Sequence, residues 1–246
     1  MNRVFVLPSD IKDEKVIISG SEAYHLRKVL RSGPGDRIQV ADGNGNEFLA
    51  EIVEVNEKIL CRVVQRLDSN PEPEVKVVLW QSIPKGDKMD FIIQKCTELG
   101  VAEINPVYSK YTIVKLNQKK EKEREKRWQR IAHEAAKQCR RSVIPVINPI
   151  KNWQEITLFS QDKCLYLMFA ETEKENSLRK LLELNPYSRE IHLLVGPEGG
   201  FAPEEIKIAQ EKGWHPVTLG RRILRTETAG MAGLTMVLYH FGQIGG

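Results

Sequence analysis

Two segments near the C-terminus combine glycine-rich turns with charged residues in a pattern suited to holding a ligand. The first is LLVGPEGGF at 193–201, where an apolar run ends in three closely spaced glycines. The second is LGRRILRTETA at 219–229, where a shorter apolar run ends at Gly220 and arginines and a glutamate follow. Because glycine has no Cβ, backbone N–H and C=O groups in such turns can approach an adenine or a ribose closely. Residues 196–200 taken alone fit a simple strand–turn–helix connection equally well.

The common nucleotide-binding and catalytic templates do not occur in the sequence. The 196–200 turn does not match the G-x-G-x-x-G pattern, and the chain contains neither a GxxxxGK[ST] loop nor a GxSxG elbow. The five histidines lack metal-ligand spacing, so no metal site is expected. His192, inside an apolar run, is interpreted as a structural group rather than a ligand.

The elements that must position these turns alternate between strands and helices from residue 75 onward. This alternation predicts a parallel sheet covered by helices on both faces, with ligands bound beyond the carboxyl ends of the strands. Apolar runs predict strands at 75–81, 101–108, 144–147, 164–169, 191–195 and 216–219. Helical periodicity predicts helices at 87–99, 119–139, 175–184, 203–212 and 228–241.

The first 70 residues have a different pattern, which predicts a small β-barrel. Short β-rich runs occur at 4–6, 15–18, 37–40, 47–55 and 59–66, with one short helix expected at 21–31. The DGNGN sequence at 42–46 is a hairpin signal, since Asp-Gly and Asn-Gly tolerate positive φ. The Pro-Glu repeat that follows predicts a linker at 71–74, which separates a domain at 1–70 from one at 75–246.

Positive charge is concentrated in two places. Residues 1–70 are nearly balanced, with ten Lys/Arg against eleven Asp/Glu, yet three of the basic residues cluster beside His25. Residues 115–141 contain eleven Lys/Arg and four Asp/Glu, a local net charge of +7 in a chain whose total is +4. Either cluster can be a solvated helix face, or a surface that contacts phosphate groups of RNA.

Composition favours a cytoplasmic protein. Hydrophobic residues make up 41% of the chain, and the longest apolar stretch, near 231–241, is shorter than the roughly 20 residues needed to cross a bilayer. The four cysteines are widely spaced, which indicates free thiols rather than disulfides or a zinc site. Small residues at 229, 230, 232 and 233 in the last predicted helix fit either tight core packing or a homodimer interface.

At these segments the sequence resembles a known family. The LLVGPEGGF and LGRRILRTETA segments resemble the SPOUT methyltransferases, which bind S-adenosylmethionine in a C-terminal trefoil knot. Further matches are KGDKMDFIIQKCTELGV at 85–101, EAAKQCRRSVIP at 134–145, HLRKVLR at 25–31 and GDRIQVADGNG at 35–45. Together they resemble the RsmE family, whose members methylate N3 of a uridine in 16S ribosomal RNA of the small subunit.

The resemblance implies an α/β protein with a small N-terminal PUA-like β-barrel, which binds RNA, and a SPOUT domain with a C-terminal trefoil knot. It also implies a homodimer, S-adenosylmethionine as cofactor, and an active site beside the dimer interface. The cofactor-binding residues that it implies are Leu194, Gly196, Pro197, Glu198, Gly199, Gly200, Leu219, Gly220, Ile223, Leu224, Thr226, Thr228 and Ala229. The RNA-binding candidates are Arg3, His25, Arg27, Lys28, Arg31, Lys85, Gln138, Arg140 and Arg141.

Two residues are hypothesised to act in catalysis. Methylation of uracil N3 requires loss of the N3 proton, and we expect Arg225 to stabilise the negative charge that develops on the uracil oxygens. Glu227 is a candidate proton acceptor, or else a structural partner of Arg225 or a carboxylate at a helix N-terminus.

Two other functions remain open from the sequence. A methyltransferase of the same superfamily could act on transfer RNA or on a ribose hydroxyl. A non-catalytic RNA-binding or ribosome-assembly factor could retain the pocket without using it.

Overall fold

A computed structural model describes residues 1–68, 71–156 and 164–246, and the chain forms two compact units. One unit contains Met1–Glu72 and Ala136–Ile144, and the other contains Pro73–Ala135 and Pro145–Gly246. This differs from the expectation that 71–74 is a linker and that 75–246 is one continuous domain. Asn70, at the start of the expected linker sequence, lies outside the described residues.

The Glu72 carboxylate explains why 136–144 groups with the N-terminal unit. It accepts hydrogen bonds from the Arg141 guanidinium, at 2.6 and 3.0 Å, and from the backbone N–H groups of Ser142 and Val143, at 2.9 and 3.0 Å. Two charged groups with little exposure to water are therefore paired with each other, which burial requires. Because these partners are about 70 residues apart, sequence pattern could not reveal them.

The N-terminal unit is built on a six-stranded sheet with the strand order β1-β4-β5-β6-β3-β2. Neighbouring strands are antiparallel except β1 and β4, which are parallel. Its elements are β1 (Arg3–Phe5), β2 (Ile11–Lys12), β3 (Lys15–Ile18), α1 (Gly20–Tyr24), β4 (Arg37–Ala41), β5 (Glu47–Val55) and β6 (Ile59–Leu67).

The predicted hairpin and helix of this unit are both present. Residues 42–46 connect antiparallel β4 and β5, as the Asp-Gly and Asn-Gly pairs predict. The helix expected at 21–31 is α1, which continues directly into a π-helical turn at His25–Val29. Alternating side chains of β3, β4 and β5 enclose a core that includes Val16, Ile18, Ile38, Val40, Ala50 and Ile52.

The second unit contains a parallel sheet, which confirms the predicted class. Its order is β10-β8-β7-β12-β11-β13, with β9 also paired to β8, and every pairing is parallel. The strands are β7 (Lys76–Ser82), β8 (Glu103–Tyr108), β9 (Val146–Ile147), β10 (Lys151–Asn152), β11 (Cys164–Phe169), β12 (Glu190–Val195) and β13 (His215–Val217). The helices are α2 (Lys88–Leu99), α4 (Leu178–Leu184), α5 (Pro203–Glu211), α6 (Thr226–His240) and most of α3 (Gln118–Gln138), whose residues from Ala136 onward belong to the N-terminal unit.

The end of α2 and the start of α6 follow ordinary capping chemistry, but α6 begins at a different residue from the predicted one. Gly100 ends α2 in a left-handed conformation at φ 103°, as its position predicts. The last helix begins at Thr226 rather than at 228, with Arg225 in the extended N-cap position. Glu227 therefore lies in the first turn of α6, where a carboxylate interacts favourably with the helix dipole.

Two further features of the structure concern the cysteines and the helices. The four cysteines, all in the described part of the chain, form no disulfide, and burial raises the pKa of the Cys61 and Cys96 thiols to about 11 and about 12. None of the helices that the structure describes has both the length and the apolar character needed to cross a membrane.

The small residues of α6 let the helix approach the sheet closely. A Cβ placed on Gly233 would lie 2.3 Å from the Phe169 ring at the end of β11, and one on Gly230 would lie 3.2 Å from Gln81 Oε1 on β7. These two glycines thus serve tight packing within the chain.

We predict that Gly233→Ala destabilises the protein by about 1–3 kcal/mol, because the added methyl group overpacks the Phe169 ring. Helix propensity alone would favour alanine by about 1 kcal/mol. Urea denaturation would measure the free energy of unfolding. Ala232→Gly, at a half-buried position of the same helix, provides the control for helix propensity. A Gly233→Ala variant that is more stable than the wild type would contradict the predicted clash.

Candidate functional site

A cavity of about 700 Å³ opens at the carboxyl edge of the parallel sheet, beyond the ends of β11, β12 and β13. This is within the usual range for ligand pockets, about 300–1,000 Å³. Its walls are three loops, one following each strand. The lining residues are Phe169 to Lys174, Val195 to Pro197, Gly199 to Phe201, Ile206, Val217 to Leu224, Thr226 and Ala229.

The loop after β12 is the compact glycine turn. Gly200 N–H donates to Pro197 O at 3.0 Å, and Gly200 has φ 67°, a conformation that favours glycine. A Cβ on Gly196 would lie 3.1 Å from the Phe201 ring and 3.3 Å from the Gly200 backbone. Glycine is therefore favoured at both ends of the turn, and Gly196, Pro197, Gly199 and Gly200 all line the cavity.

The loop after β13 forms the opposite wall. Thr218 Oγ1 accepts from Gly220 N–H and donates to Gly220 O, each at 3.2 Å, which closes a small turn. Gly220 has φ 117°, and a Cβ there would meet no atom within 4 Å. Leu219 and Leu224 add apolar surface to this wall. The combination of backbone polar groups and apolar surface suits a flat heteroaromatic ring.

The third wall, the loop after β11, was not among the sequence-predicted site residues. It contributes Ala170, Glu171, Thr172, Glu173 and Lys174. The sequence does contain a signal for this loop, because the predicted strand at 164–169 ends here and ligand sites form beyond the carboxyl ends of parallel strands. Polar turn residues without glycines did not distinguish this loop from an ordinary connection.

Glu173 shapes this third loop. Its Oε1 accepts hydrogen bonds from the backbone N–H groups of Glu175 and Asn176, at 2.8 and 2.9 Å. These bonds from backbone N–H groups lower the pKa of the Glu173 carboxyl. The loop is thus held by an ionised side chain, and Glu171 beside it is exposed at the cavity wall.

Most of the expected cofactor residues surround this cavity. Three of them do not line it: Leu194 is buried in the core, Thr228 is exposed on α6, and Glu198 points to a neighbouring cluster. Those that do line it are Gly196, Pro197, Gly199, Gly200, Leu219, Gly220, Ile223, Leu224, Thr226 and Ala229.

Lys88 connects the glycine turn to the start of α6. Its Nζ donates to Glu198 Oε1 at 2.8 Å and lies 3.4 Å from Glu227 Oε2, near enough for an ion pair but not aligned as a hydrogen bond. The hydrogen bond to Glu198 raises the pKa of Lys88. Burial acts to raise the pKa of Glu198, but the bonds from Lys88 and from Lys85 N–H lower it overall. The partner of Glu227 is therefore Lys88 rather than Arg225.

Arg225 is exposed at the N-cap of α6 and does not line the cavity. Its guanidinium has no hydrogen-bond or ion-pair partner among the described residues. A cation at this position is available to a group that arrives from outside the chain.

Several expected RNA-binding residues come together in the N-terminal unit. Lys137 Nζ donates to both carboxylate oxygens of Glu22, at 2.8 and 2.7 Å, which holds the end of α3 beside α1. Two clusters that are more than 100 residues apart in sequence thereby become neighbours. We group the remaining RNA-binding candidates of this unit as the basic surface: His25, Arg27, Lys28, Arg31, Gln138 and Arg140. Arg27 is half-buried and its guanidinium donates to Asn56 O at 3.0 Å, whereas the other five are exposed.

Arg31 and Arg140 have an unusual backbone within this basic surface. Both are exposed and have positive φ, 52° and 63°, just after helical segments, where glycine is the usual residue. An arginine in this conformation costs roughly 1–2 kcal/mol relative to glycine. Local strain retained at two exposed cations is typical of functional positions.

Two other candidate RNA-binding residues, Arg3 and Arg141, bond to groups inside the protein. The Arg3 guanidinium bonds to the Glu47 carboxylate and to Arg141 O, and the Arg141 guanidinium bonds to Glu72. Both arginine side chains are almost completely buried, so we assign them a structural role and leave them out of the basic surface. Lys85, in the second unit, is exposed.

Cys164, Glu190 and His192 lie close enough together to be considered as metal ligands. Trp80 Nε1 donates to His192 Nδ1 at 2.9 Å, so the proton of the neutral ring is on Nε2. That nitrogen faces Glu190 Oε1 at 3.0 Å and acts as a donor rather than a ligand. Burial lowers the pKa of His192, against the opposing effect of Glu190. Both ring nitrogens of His192 are therefore engaged within the protein, one by Trp80 and the other by Glu190.

Comparison with protein families assigns both parts of the chain. An RNA methyltransferase domain matches residues 70–238, and an RNA methyltransferase PUA domain matches residues 18–64. The N-terminal unit is therefore PUA-like.

Individual relatives agree with these domain matches. The chain is 34% identical over 228 residues to the ribosomal RNA small subunit methyltransferase E of Bacillus subtilis, covering 90% of this chain and 89% of the relative. Among solved structures, the corresponding protein of Neisseria gonorrhoeae bound to S-adenosyl methionine is 32% identical, with a TM-score of 0.85 over 97% of both chains. A putative methyltransferase from Legionella pneumophila with bound cofactor SAM is 28% identical, with a TM-score of 0.83 over 96% of both chains.

Proposed function

Because this chain belongs to the RsmE family of small-subunit ribosomal RNA methyltransferases, we propose that it uses S-adenosylmethionine to methylate N3 of one uridine in 16S ribosomal RNA. The observation that carries the proposal is the cavity formed by the glycine turn and the Gly220 loop. A ribosomal RNA substrate also favours a cytoplasmic location.

The cavity fits S-adenosylmethionine in shape and in chemistry. Gly200 and Gly220 have no Cβ, and the space that a Cβ would occupy at either position is open, with no atom within 4 Å. Leu219 and Leu224 supply apolar contacts for an adenine ring, and the turn backbones supply hydrogen-bonding groups for its edge. Glu171 places negative charge where a positively charged ligand is held. When bound, the cofactor supplies an electrophilic methyl group.

Residues of the chain must then stabilise the uracil as it loses its N3 proton. Loss of the N3 proton leaves negative charge on the uracil oxygens, and the exposed guanidinium of Arg225 is available to stabilise it. Glu227 is the candidate acceptor of the proton. Its Oε2 is buried without an aligned hydrogen-bond donor among the described residues, and the Lys88 ammonium lies 3.4 Å away.

We predict that Arg225→Ala lowers kcat by about 10²-fold, the usual loss when one charge-stabilising donor is removed. The dissociation constant for S-adenosylmethionine should not change, since Arg225 does not line the cavity. Steady-state kinetics measures kcat, and calorimetric titration measures the dissociation constant. Arg179→Ala, at an exposed position on α4, is the control. Full turnover by an Arg225→Ala variant that binds cofactor and RNA normally would refute the role of Arg225.

We further propose that the chain ends in a trefoil knot, with the glycine turn and the Gly220 loop as its crossing segments. The support is the family resemblance together with the Thr226 Oγ1–Gly196 O contact of 2.6 Å, which holds the end of the second loop against the start of the first. A knot would fix these loops without any ligand and so reduce the entropy cost of binding.

RNA binding is assigned to the basic surface of the N-terminal unit. Its exposed cations Lys28, Arg31 and Arg140 lie at or just after helix ends, and the two arginines have positive φ. Such cations contact phosphates and position the substrate without reading its sequence. Lys85, at the carboxyl edge of β7, is proposed as a further contact to the same RNA.

We predict that Arg31→Glu combined with Arg140→Glu weakens binding of small ribosomal subunits and reduces the slope of log K against log salt by about 2, one for each lost phosphate contact. Cofactor affinity should stay at the wild-type value. The measurement is a filter-binding series from 50 to about 200 mM salt. Lys12→Glu combined with Lys15→Glu, on β2 and β3, is the matched double charge reversal. A salt slope equal to that of the wild type would remove these arginines from the RNA contact.

We also propose a homodimer in which the exposed face of α6 meets a second copy. Met236 and Tyr239 are 45% and 70% exposed, and they lie one helical turn apart. Large apolar side chains grouped on an exposed helix face are typical of an interface. An active site beside that interface is part of the same proposal.

Methyl transfer to small ribosomal subunits is the test of the function. Labelled S-adenosylmethionine would be offered with subunits from a strain that lacks the gene, and the RNA digested to nucleosides. We expect a single labelled product, 3-methyluridine. A ribose-methylated product, or transfer only to transfer RNA, would favour a different methyltransferase. Cofactor binding without transfer to any RNA would favour the non-catalytic factor.

A further inference from the structure

A buried chain of hydrogen bonds links the central strand β7 to the turn at the cavity. Gln81 Nε2 donates to Thr226 Oγ1 at 2.9 Å, and Thr226 Oγ1 donates to Gly196 O at 2.6 Å. Gln81 is completely buried and Thr226 is 5% exposed. We propose that Gln81 is a positioning residue for methyl transfer, and that this relay sets the glycine turn against the start of α6.

The direction of the relay is fixed by its chemistry. Gln81 Nε2 also donates to Ser82 O at 3.0 Å, and a carbonyl can only accept, so the amide cannot be flipped without placing two oxygens together. Thr226 Oγ1 therefore accepts from Gln81 and has its single proton available for Gly196 O. Bonds aligned in this way polarise one another, which strengthens the chain.

A purely structural role does not account for glutamine at this position. Gln81 Oε1 is buried and has no hydrogen-bond partner among the described residues, and an unpaired buried acceptor is destabilising. An apolar residue would avoid that cost and would suit the packing of Oε1 against Gly230. What glutamine provides and an apolar side chain cannot is the Nε2 donor to Thr226.

The relay connects the turn that lines the cavity with the residues that are proposed to act on the base. Gly196 begins the turn that lines the cavity, and Thr226 follows directly after Arg225 and precedes Glu227. The relay therefore sets the position of the cofactor wall relative to the side chains proposed to act on the base. This inference rests on the proposed methyltransferase function. Transfer needs a short, aligned approach, and a misplacement of about 1 Å can cost about 100-fold in rate.

The test compares variants that remove each donor with a conservative replacement. Gln81→Met keeps an unbranched side chain without a donor, Thr226→Val removes the hydroxyl at constant shape, and Thr226→Ser retains it. We expect Gln81→Met and Thr226→Val each to lower the single-turnover rate at saturating cofactor by about tenfold or more. The double variant should lose no more than the larger single loss, because one relay is broken in each case. Thr226→Ser, which keeps the hydroxyl, should recover most of the rate that Thr226→Val loses.

Two readouts do not depend on activity. Calorimetric titration with S-adenosylmethionine should show weaker binding in Gln81→Met and in Thr226→Val. Hydrogen exchange of the ligand-free protein should show faster exchange of the amides at 196–200 in both variants, since the turn loses its tie to α6. Thr235→Val is the control, because its hydroxyl donates to Met231 O within the same helix, at 2.9 Å, and has no link to the turn.

The outcomes separate the relay from the function on which it rests. Variants with a lower melting temperature but wild-type rate, affinity and exchange would overturn the positioning role. Additive losses in the double variant would show two independent effects and overturn the relay. If the wild-type protein methylates no RNA, the proposed function fails, and the exchange of 196–200 still decides whether Gln81 holds the turn.

Discussion

The candidate site depends on one row of residues across the parallel sheet. Gln81 pairs with Val195, Val195 with Phe169, and Phe169 with Val217, so that β7, β12, β11 and β13 reach their carboxyl ends at one level. Each loop of the cavity leaves the sheet from this row. A shift of register by one residue in any of these strands would move the following loop along the sheet. It would also turn the side chains of that strand to the opposite face of the sheet.

The same row explains why α6 is rich in small residues. Phe169 both lines the cavity and packs on Gly233, while Gln81 both donates to Thr226 and contacts Gly230. A helix with larger side chains could not lie close enough to share these contacts. The loss of helix propensity, about 1 kcal/mol for each glycine, accompanies this close approach.

Buried charge organises the N-terminal unit in a comparable way. The carboxylates of Glu72 and Glu47 pair with Arg141 and Arg3, and these pairs bind 136–144 to the N-terminal residues. Arg140, next to Arg141 in the chain, remains exposed beside the Lys137–Glu22 pair. Two adjacent arginines thus have different roles, one structural and one available to a partner.

The sequence by itself determined the class of fold and the two glycine loops. Apolar runs and turn residues are local signals, and they placed β3, β5 and β11 at their observed bounds and most strands and helices within a few residues. Only the tertiary structure decided which charges are free, that the loop after β11 closes the cavity, and that residues 136–144 belong with the N-terminal unit. It also supplied the Gln81–Thr226–Gly196 relay. These features depend on contacts between residues far apart in the chain, and no periodicity or composition encodes such a pairing.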